Sequence, residues 1–596
     1  MQNQENALSI AVLPFRNISQ EADNDYFCDG MSEEIIIALS RVQGLKVISR
    51  TSSFYFKNTQ VPIKEIGSKL DVSNILEGSV RLAGDKMRIS AQLINVSDES
   101  NFWSETWERG VDDLFQIQDE ISLLIADKLR EFGGHLEISD HLVNSPTKSI
   151  SAYEHYLKGR FHFFQWNPKD THLAIEHFHQ TVAIDDQLVD GYLGLADSYS
   201  FMAVAGFAPR EEAWMKAIEA IESAKKLDPN HAGLNYMLGH QSFFVEADFA
   251  GAMQYELKSV AVKPNNPEAL QFLSSLYVFQ GDFKKSKEYI LYAKSLDPLN
   301  PETRFFEANY LYRSGDYQGA EEILNDLLEA NSKNLPAIIV SLYIQVLTNR
   351  LDGAKASLER IPDELMTPDE LLGLKCLVEI SSGHTDTPLL EELEQHAKEP
   401  TAHHAHSYLF IAYARLGEND KAFQELEKLF EYRSSILLLG FSDPMAQKIF
   451  TDPRYSEYHQ KVYPKKAIKP APKRKSTRPL ENDKAEVLVD KIRHYFLDER
   501  PYLNPALTLR ILADQVDIHP NTLSWLINEH ICKNFNEFIN EYRIEHFKKL
   551  VVDPSNSHIS LIGLAYESGF NSKTVFNTAF KKTVGMTPKA FQKSQS

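Results

Sequence analysis

The sequence predicts a multidomain chain with an α/β domain at its N-terminus, an all-α repeat solenoid through its middle and an all-α double helix-turn-helix domain at its C-terminus. Three observations predict it. Short apolar runs alternate with helical patterns and then give way to a hairpin pattern over residues 7–135. A 34-residue period governs residues 151–460, and two copies of one helix-turn-helix pattern fall between residues 485 and 596.

Charge is spread unevenly over this framework. The 596 residues carry 63 Lys and Arg against 83 Asp and Glu, a formal net charge of -20. Residues 461–596 hold 22 basic and 14 acidic side chains, a balance of +8, which leaves -28 for the first 460 residues. Most of the chain therefore repels nucleic acid, and any contact with it belongs to the C-terminal end. The apolar fraction of 43% and charged fraction of 24% are ordinary for globular protein. Cys28, Cys376 and Cys532 lie far apart without a Cys-x-x-Cys pair, the pattern of free thiols in a reducing cytoplasm. No apolar run approaches the ~20 residues that span a bilayer. The longest, at 336–347 and 436–441, sit inside helical patterns, and MQNQENALSI lacks the basic start and apolar core of a signal peptide. A cytoplasmic protein with no membrane partner is expected.

In the first domain SIAVLPF reads as a buried strand, and DGMSEEIIIALSRV as a helix capped by Ser32 with Glu33 and Glu34 in its first turn. LKVISR is a second strand, and Pro62 opens the helix IKEIGSKL. NILEGSVRLAGDKMRISAQLINV is a hairpin turning at Gly84-Asp85, with Ile89, Ala91 and Leu93 alternating onto one face. FWSETWER extends the sheet, and a last helix runs over about 114–132. There is no Gly-rich phosphate loop with a following Lys-Ser/Thr; Glu77-Gly78-Ser79 reads as strand at a close approach. Asp23, Asp25, Asp29 and Glu34 match positions 1, 3, 7 and 12 of a calcium loop, but Cys28 stands where that loop needs Gly, and the helix start explains the acids. No metal, no cofactor and no catalytic site are expected here; a docking or binding surface is. Through IAVLPFRNIS, YFCDGMSEEI, LKVISRTSSF, ILEGSVR and FWSETWER the segment resembles the TolB N-terminal-like domain often attached to bacterial cyclases and repeat proteins, a family with no catalytic residue set to carry over.

In the solenoid, Asp248-Phe249, Asp282-Phe283 and Asp316-Tyr317 recur at 34 residues, as do Gly281 and Gly315, then Gly319-Ala320 and Gly353-Ala354. Ala422 keeps the register two periods on, and Asp228-Pro229, Lys263-Pro264 and Asp297-Pro298 mark the other boundary. Beyond Leu351 the motif residues fade and only the register continues. The pattern is similar to the tetratricopeptide repeat, a helical hairpin that buries its apolar face only against neighbouring hairpins. That resemblance implies a concave surface for a peptide, a protein partner or the chain's own flanking domains. His403, His404 and His406 have no Cys or carboxylate set in sequence and read as helix-surface residues instead of a zinc site. Residues 461–484 form a basic, Pro-rich linker: 461–480 hold eight basic side chains, four prolines and no acid, a composition that cannot collapse into a core.

In the last segment, residues 485–596, Thr508 caps a helix that buries Leu509, Leu512 and Ala513. The chain turns at Asp517 and Ile518, and Pro520 opens a second helix with Leu523, Leu526 and Ile527 inward. Asn521, Thr522, Ser524, Trp525 and Asn528 are left on the other side. FNEFINEYRIEHFKKL is an amphipathic spacer helix, about 24 Å long over sixteen residues. The second unit repeats the pattern: Ser560 caps, Leu561, Leu564 and Ala565 face inward, Gly569 breaks, and a new helix starts near Ser572. There Val575, Phe576, Ala579 and Phe580 make an apolar stripe and Lys573, Thr574, Asn577, Thr578 and Lys581 the outer face. From Ser568 onward there are five lysines and no Asp or Glu, a potential suited to phosphate.

Two such units, joined by an amphipathic helix and closed by Gly585-x-Thr587-Pro588, closely resemble the DNA-binding domain of the AraC family. The resemblance implies double-stranded DNA as partner, with Asn521, Ser524, Trp525, Lys573, Thr574, Asn577 and Thr578 facing bases and Thr508, Asn528, Ser560, Ser572 and Lys581 touching phosphates. His519 stands where the family often has a Ser cap, and Trp525 where it often has Arg or Gln. The expected function is that of a transcriptional regulator whose N-terminal domain and repeats sense a ligand or partner; it is not expected to be an enzyme. The alternative is an interaction scaffold with residual or non-specific DNA binding. Pairing into a homodimer would double the contacted sites, though no residue pattern requires it.

Overall fold

The computed structural model describes residues 8–595 apart from 20–23, 144–146, 166–167, 205–206, 363–364, 385–386, 400–401, 466–479 and 481. The fold class is the expected one: an α/β domain, a helical solenoid and a helical C-terminal domain. The first domain is a mixed sheet of order β3-β1-β4-β5-β6, with a short β2 (Arg16–Asn17) beside β4. Strand β1 (Leu8–Val12) runs parallel to β3 (Leu45–Val47) and to β4 (Asn74–Ala83). The sheet then continues antiparallel through β5 (Lys86–Asn95) and β6 (Asn101–Gly110). Ala83 pairs with Lys86 across the Gly84-Asp85 turn, where Gly84 takes φ +62.

Alternation along the strands decides what covers each face. Val12, Leu76 and Leu93 pack against α1 (Asp25–Leu39) and α4 (Leu114–Gly133), whose Ile35, Ile121 and Ile125 are fully buried. Ala11 and Ile75 turn the other way, onto Ile66 and Leu70 of α3 (Ile63–Leu70), beside the short α2 (Arg50–Phe54). The close approach expected at Gly78 is real: a Cβ there would lie 2.6 Å from the Phe15 ring.

The cap expected at Ser32 is not one. α1 begins two turns earlier, so Ser32 sits buried inside it, donating to the Cys28 carbonyl and accepting the Phe15 amide at 2.8 Å. Glu33 is correspondingly no first-turn acid; it pairs with Arg160 at 2.7 Å and Arg50 at 3.2 Å. Asp29 pairs with Lys57 at 2.8 Å, and Asp23 of the calcium-loop count lies outside the described residues.

Among the described residues eighteen α-helices follow, α5 (Ile150–Phe163) to α22 (Tyr455–Val462). The 34-residue signature has a local cause. Asp248, Asp282 and Asp316 are side-chain N-caps, accepting the amides of Gly251, Lys285 and Gly319 at 3.0–3.1 Å. Gly281 and Gly315, at φ +80 and +89, end the preceding helices in the left-handed region. Ala320, Ala354 and Ala422 have no exposed surface, because two helices cross at each of them. The faded segment beyond Leu351 is helical as well, for instance over Pro368–Ser381 and His403–Leu416. The histidines there correct the surface expectation: His406 is buried and meets a buried carboxylate, Glu425, at 2.7 Å.

The solenoid grips the first domain. Besides Arg160 on Glu33, Leu157 fills the space beside Gly30, and Asn265 donates to the Ser40 carbonyl at 3.1 Å. Asp297, one of the repeat-boundary residues, accepts the Ser52 amide at 2.9 Å and the Ser52 hydroxyl at 2.5 Å. Of the occupants the repeats were expected to take, the structure thus displays a flanking domain of the same chain.

Burial pushes the Asp297 carboxyl up to about 6 despite the donors from Ser52 and Asn300. A folded value above the unfolded one favours the neutral acid, so its contribution is complete below about pH 4 and fades as pH rises through about 6. Asp297→Asn, which stays neutral, is expected to gain about 2 kcal/mol on the natural protein between about pH 4.5 and 7.5. Urea unfolding of both proteins at the two pH values checks this; a pH-independent difference contradicts it.

Candidate nucleic-acid interface

The C-terminal domain comprises α23 (Asn482–Asp498), α24 (Leu509–Val516), α25 (Pro520–Trp525), α26 (Phe535–Val552), α27 (Leu561–Glu567), α28 (Lys573–Val584) and α29 (Pro588–Gln595). Thr508 and Ser560 cap as expected, accepting the amides of Ile511 at 3.2 Å and Gly563 at 3.1 Å. His519 replaces a hydroxyl cap without losing the bond: its Nδ1 accepts the Asn521 amide at 3.2 Å. Asp517, at φ +52, makes the first turn, and a turn of π-helix over Leu526–His530 extends α25.

One rigid helix carries both units. α26 opens on a reciprocal Asn534–Glu537 capping box, and its 18 residues span about 27 Å. Phe535, Phe538 and Ile539 from its first half join Leu512, Leu523 and Leu526 in one core. Ile544 and Phe547 from its second half join Leu564, Phe576 and Phe580 in another. Arg543 stands at the junction, buried, donating from Nε to the Tyr502 carbonyl at 2.8 Å and from Nη2 to the Asn504 carbonyl at 2.9 Å. Burial lowers its pKa to about 10, which leaves it charged. Gly569 at φ +91 lets the second unit close on this point; a Cβ there would fall 2.1 Å from the Tyr502 carbonyl oxygen.

The two outer faces are in different states. On α28 Lys573, Thr574, Asn577, Thr578 and Lys581 are all exposed, with Ser572 half-buried at the N-cap. Val575 departs from the expected apolar stripe: it is 44% exposed and lies on this polar face, while Phe576 and Phe580, with partly buried Ala579 and Val584 beside them, hold the helix to its core. Of the five lysines, Lys582 pairs with Glu537 of α26 at 2.8 Å.

The face of α25 is covered. Asn521 Oδ1 accepts from Arg130 Nη1 at 2.8 Å and from the Ile138 amide at 3.3 Å, and its Nδ2 donates to the Ile138 carbonyl at 3.1 Å. Ser524 has no exposed surface and lies 3.3 Å from His135 Nδ1, so the expected outward position is corrected: the first domain covers it. Trp525 is likewise corrected. It is 9% exposed, belongs to the core with Leu523 and Leu526, and stands edge-on to His530, because the turn of π-helix wraps the chain around the indole. Asn528, half-buried, bonds back to the Ser524 carbonyl at 2.9 Å. At the start of α24, Glu131 Oε1 accepts the Leu509 amide at 3.0 Å, and Arg510 pairs with Asp127. Sequence reading missed Asp127, Arg130, Glu131, His135 and Ile138 altogether; a charged stretch at the end of α4 has the look of any solvated helix terminus.

Known proteins resemble the chain piecewise. A family model described as "Helix-turn-helix domain" matches residues 512–594, one described as "HilA/YgeH-like transcriptional regulator, second domain" matches 5–124, and a tetratricopeptide repeat model matches 267–298. A Rhizobium meliloti (strain 1021) protein named "Putative adenylate cyclase 3" is 35% identical over 190 residues, 32% of this chain and 32% of its own. The Escherichia coli (strain K12) regulator YijO is 31% identical over 110 residues, 18% of this chain and 37% of its own. The melibiose operon regulatory protein of the same strain is 28% identical over 88 residues, 15% and 28%. The chain thus spans about a third of the length of the curated relatives it matches. A tetratricopeptide repeat protein of Parabacteroides merdae overlaps 42% of this chain and 93% of its own at 13% identity and TM-score 0.29. The suspected architecture therefore holds: a C-terminal AraC-type helix-turn-helix domain, a regulator-type N-terminal domain and tetratricopeptide repeats in one chain.

Arg543→Met would strip the Tyr502 and Asn504 carbonyls of their donor and loosen the units from each other. A loss of about 2 kcal/mol in unfolding free energy is expected, with little recovery in Arg543→Lys, whose single ammonium cannot reproduce the fork. Denaturant unfolding checks both; a lysine variant as stable as the natural protein contradicts the bridging role.

Proposed function

We propose that the chain is a sequence-specific DNA-binding transcriptional regulator whose first domain and repeats sense a ligand or partner. The observation that carries the reading is the outer face of α28. Its lysines, threonines and Asn577 stand exposed on the second helix of a helix-turn-helix whose inner face is anchored by Phe576 and Phe580. Such a helix fits the major groove, with Asn577 suited to an adenine edge and Lys573 to guanine. Exposed Val575 adds an apolar group suited to a thymine methyl. Thr574 and Thr578 flank these base-facing positions. Lys581, Ser572 and the Ser560 helix start serve the phosphates.

The first unit would contribute Asn521 and Ser524 to bases and Thr508 and Asn528 to the backbone once uncovered. Trp525, being in the core, supports the shape of that unit. The chain's net negative body confines DNA contact to this end. The names of the curated relatives support gene regulation for the C-terminal segment. The cyclase name belongs to a protein sharing a third of its length, and enzymatic activity is not part of the proposal. Among the described residues no helix is long and apolar enough to cross a membrane; a cytoplasmic location is part of the proposal. A scaffold with only general DNA affinity is the second reading, favoured by the covered face of α25.

Selection of bound sequences from a random duplex pool with the full chain, repeated at rising salt, tests the proposal. A recovered motif that persists as salt suppresses general attraction supports it; a motif-free pool contradicts it. On the selected duplex Asn577→Ala and Lys573→Ala are expected to cost about 1–3 kcal/mol each and relax specificity at one position. Lys581→Ala is expected to weaken all duplexes alike and reduce the salt slope by about 1.

A further inference from the structure

The end of α4 and the strand-like segment after it reproduce, on the protein's own surface, the chemistry a duplex would offer the first unit. A phosphate is expected at a helix N-terminus; Glu131 places a buried carboxylate there, on the Leu509 amide at 3.0 Å. A second phosphate-like partner is expected for a basic side chain on the approaching helix; Asp127 supplies it to Arg510. Adenine offers a paired donor and acceptor in the major groove, and an asparagine carboxamide answers with both of its atoms. The peptide groups of Ile138 offer the same pair to Asn521, donating to Oδ1 at 3.3 Å and accepting from Nδ2 at 3.1 Å. Arg130, 1% exposed and held by Asp127 at 2.5 Å, adds a further donor to Oδ1.

From this correspondence we infer that residues 127–138 are an intramolecular DNA mimic that competes with duplex for the first helix-turn-helix unit. The inference rests on the DNA-binding reading above and deepens it. The occluding surface presents carboxylates where DNA presents phosphates, Asp127 paired also with Arg130 and Glu131 with Lys128 of their own helix, and it is peptide-like where a base edge would stand. The two occupants exclude each other, since Asn521 and the α24 N-terminus cannot be in two places. The second unit, left open, makes a first contact while the first remains covered. Full engagement of DNA then requires α4 to let go, and any partner that binds α4 or the segment after it shifts that balance.

The test uses the full chain and a 40-base-pair random-sequence duplex pool, read by fluorescence anisotropy. Asp127→Asn/Glu131→Gln keeps the shapes and removes both anionic contacts; Glu105→Gln/Glu108→Gln removes two exposed carboxylates of β6 as a control for net charge. The first variant is expected to bind at least about fivefold more tightly than both the natural protein and the control. Hydrogen exchange on the natural protein is expected to quicken over residues 134–140 when duplex is saturating, as Ile138 loses Asn521. Equal affinity of the three proteins, or exchange in that segment unchanged by duplex, overturns the mimic while leaving the DNA reading intact. No binding by any of them removes the DNA reading and the mimic with it.

Discussion

The structure turns on one buried guanidinium. Arg130 closes the last turns of α4, has almost no exposed surface, and is shared between Asp127 of its own helix and Asn521 of the C-terminal domain. A desolvated charge tolerates few arrangements: every partner in place, or the group back in water. On the inference drawn above, the surrounding ion pairs and amide contacts form and separate together, which gives the junction a closed and a separated state. That is the physical basis for treating the contact as a switch and not as a fixed wall.

What the switch acts upon is set by α26. Both small cores are built on one helix, and Arg543 ties the loop before α24 to the helix middle, so the two units share one framework. Covering α25 therefore leaves α28 facing solvent in a fixed relation to it. On the other side, α4 shares a core with α1, and α1 is held to the repeats through Glu33 and Arg160. A continuous packed path thus joins the solenoid to the covered face.

Much of this was legible in the residues. The repeat showed itself because caps recur: Asp248, Asp282 and Asp316 must sit where a helix starts, and Gly281 and Gly315 where one ends. The hairpin at Gly84-Asp85 and the caps at Thr508 and Ser560 were readable for the same reason, as local geometry demands particular side chains. Ser32 misled because a serine before two glutamates fits a helix start, while a long-range bond to Phe15 places it mid-helix. Trp525 and Val575 exchanged their expected places, since helical periodicity assigns a face but neither a turn of π-helix nor a small core announces which residue it takes. The contact between residues 127–138 and the first unit joins positions nearly 400 apart in sequence, and no local pattern encodes it.

On the proposed function and the inference drawn from it, one chain reads DNA with two heads, only one of which is free at rest. Hydroxyl-radical footprinting of the full chain on its selected duplex addresses it most directly. Two protected segments about 10 base pairs apart are predicted, because both units then lie in successive major-groove turns. A single protected segment at saturating protein would contradict it, leaving the first unit bound to its own N-terminal domain on and off DNA.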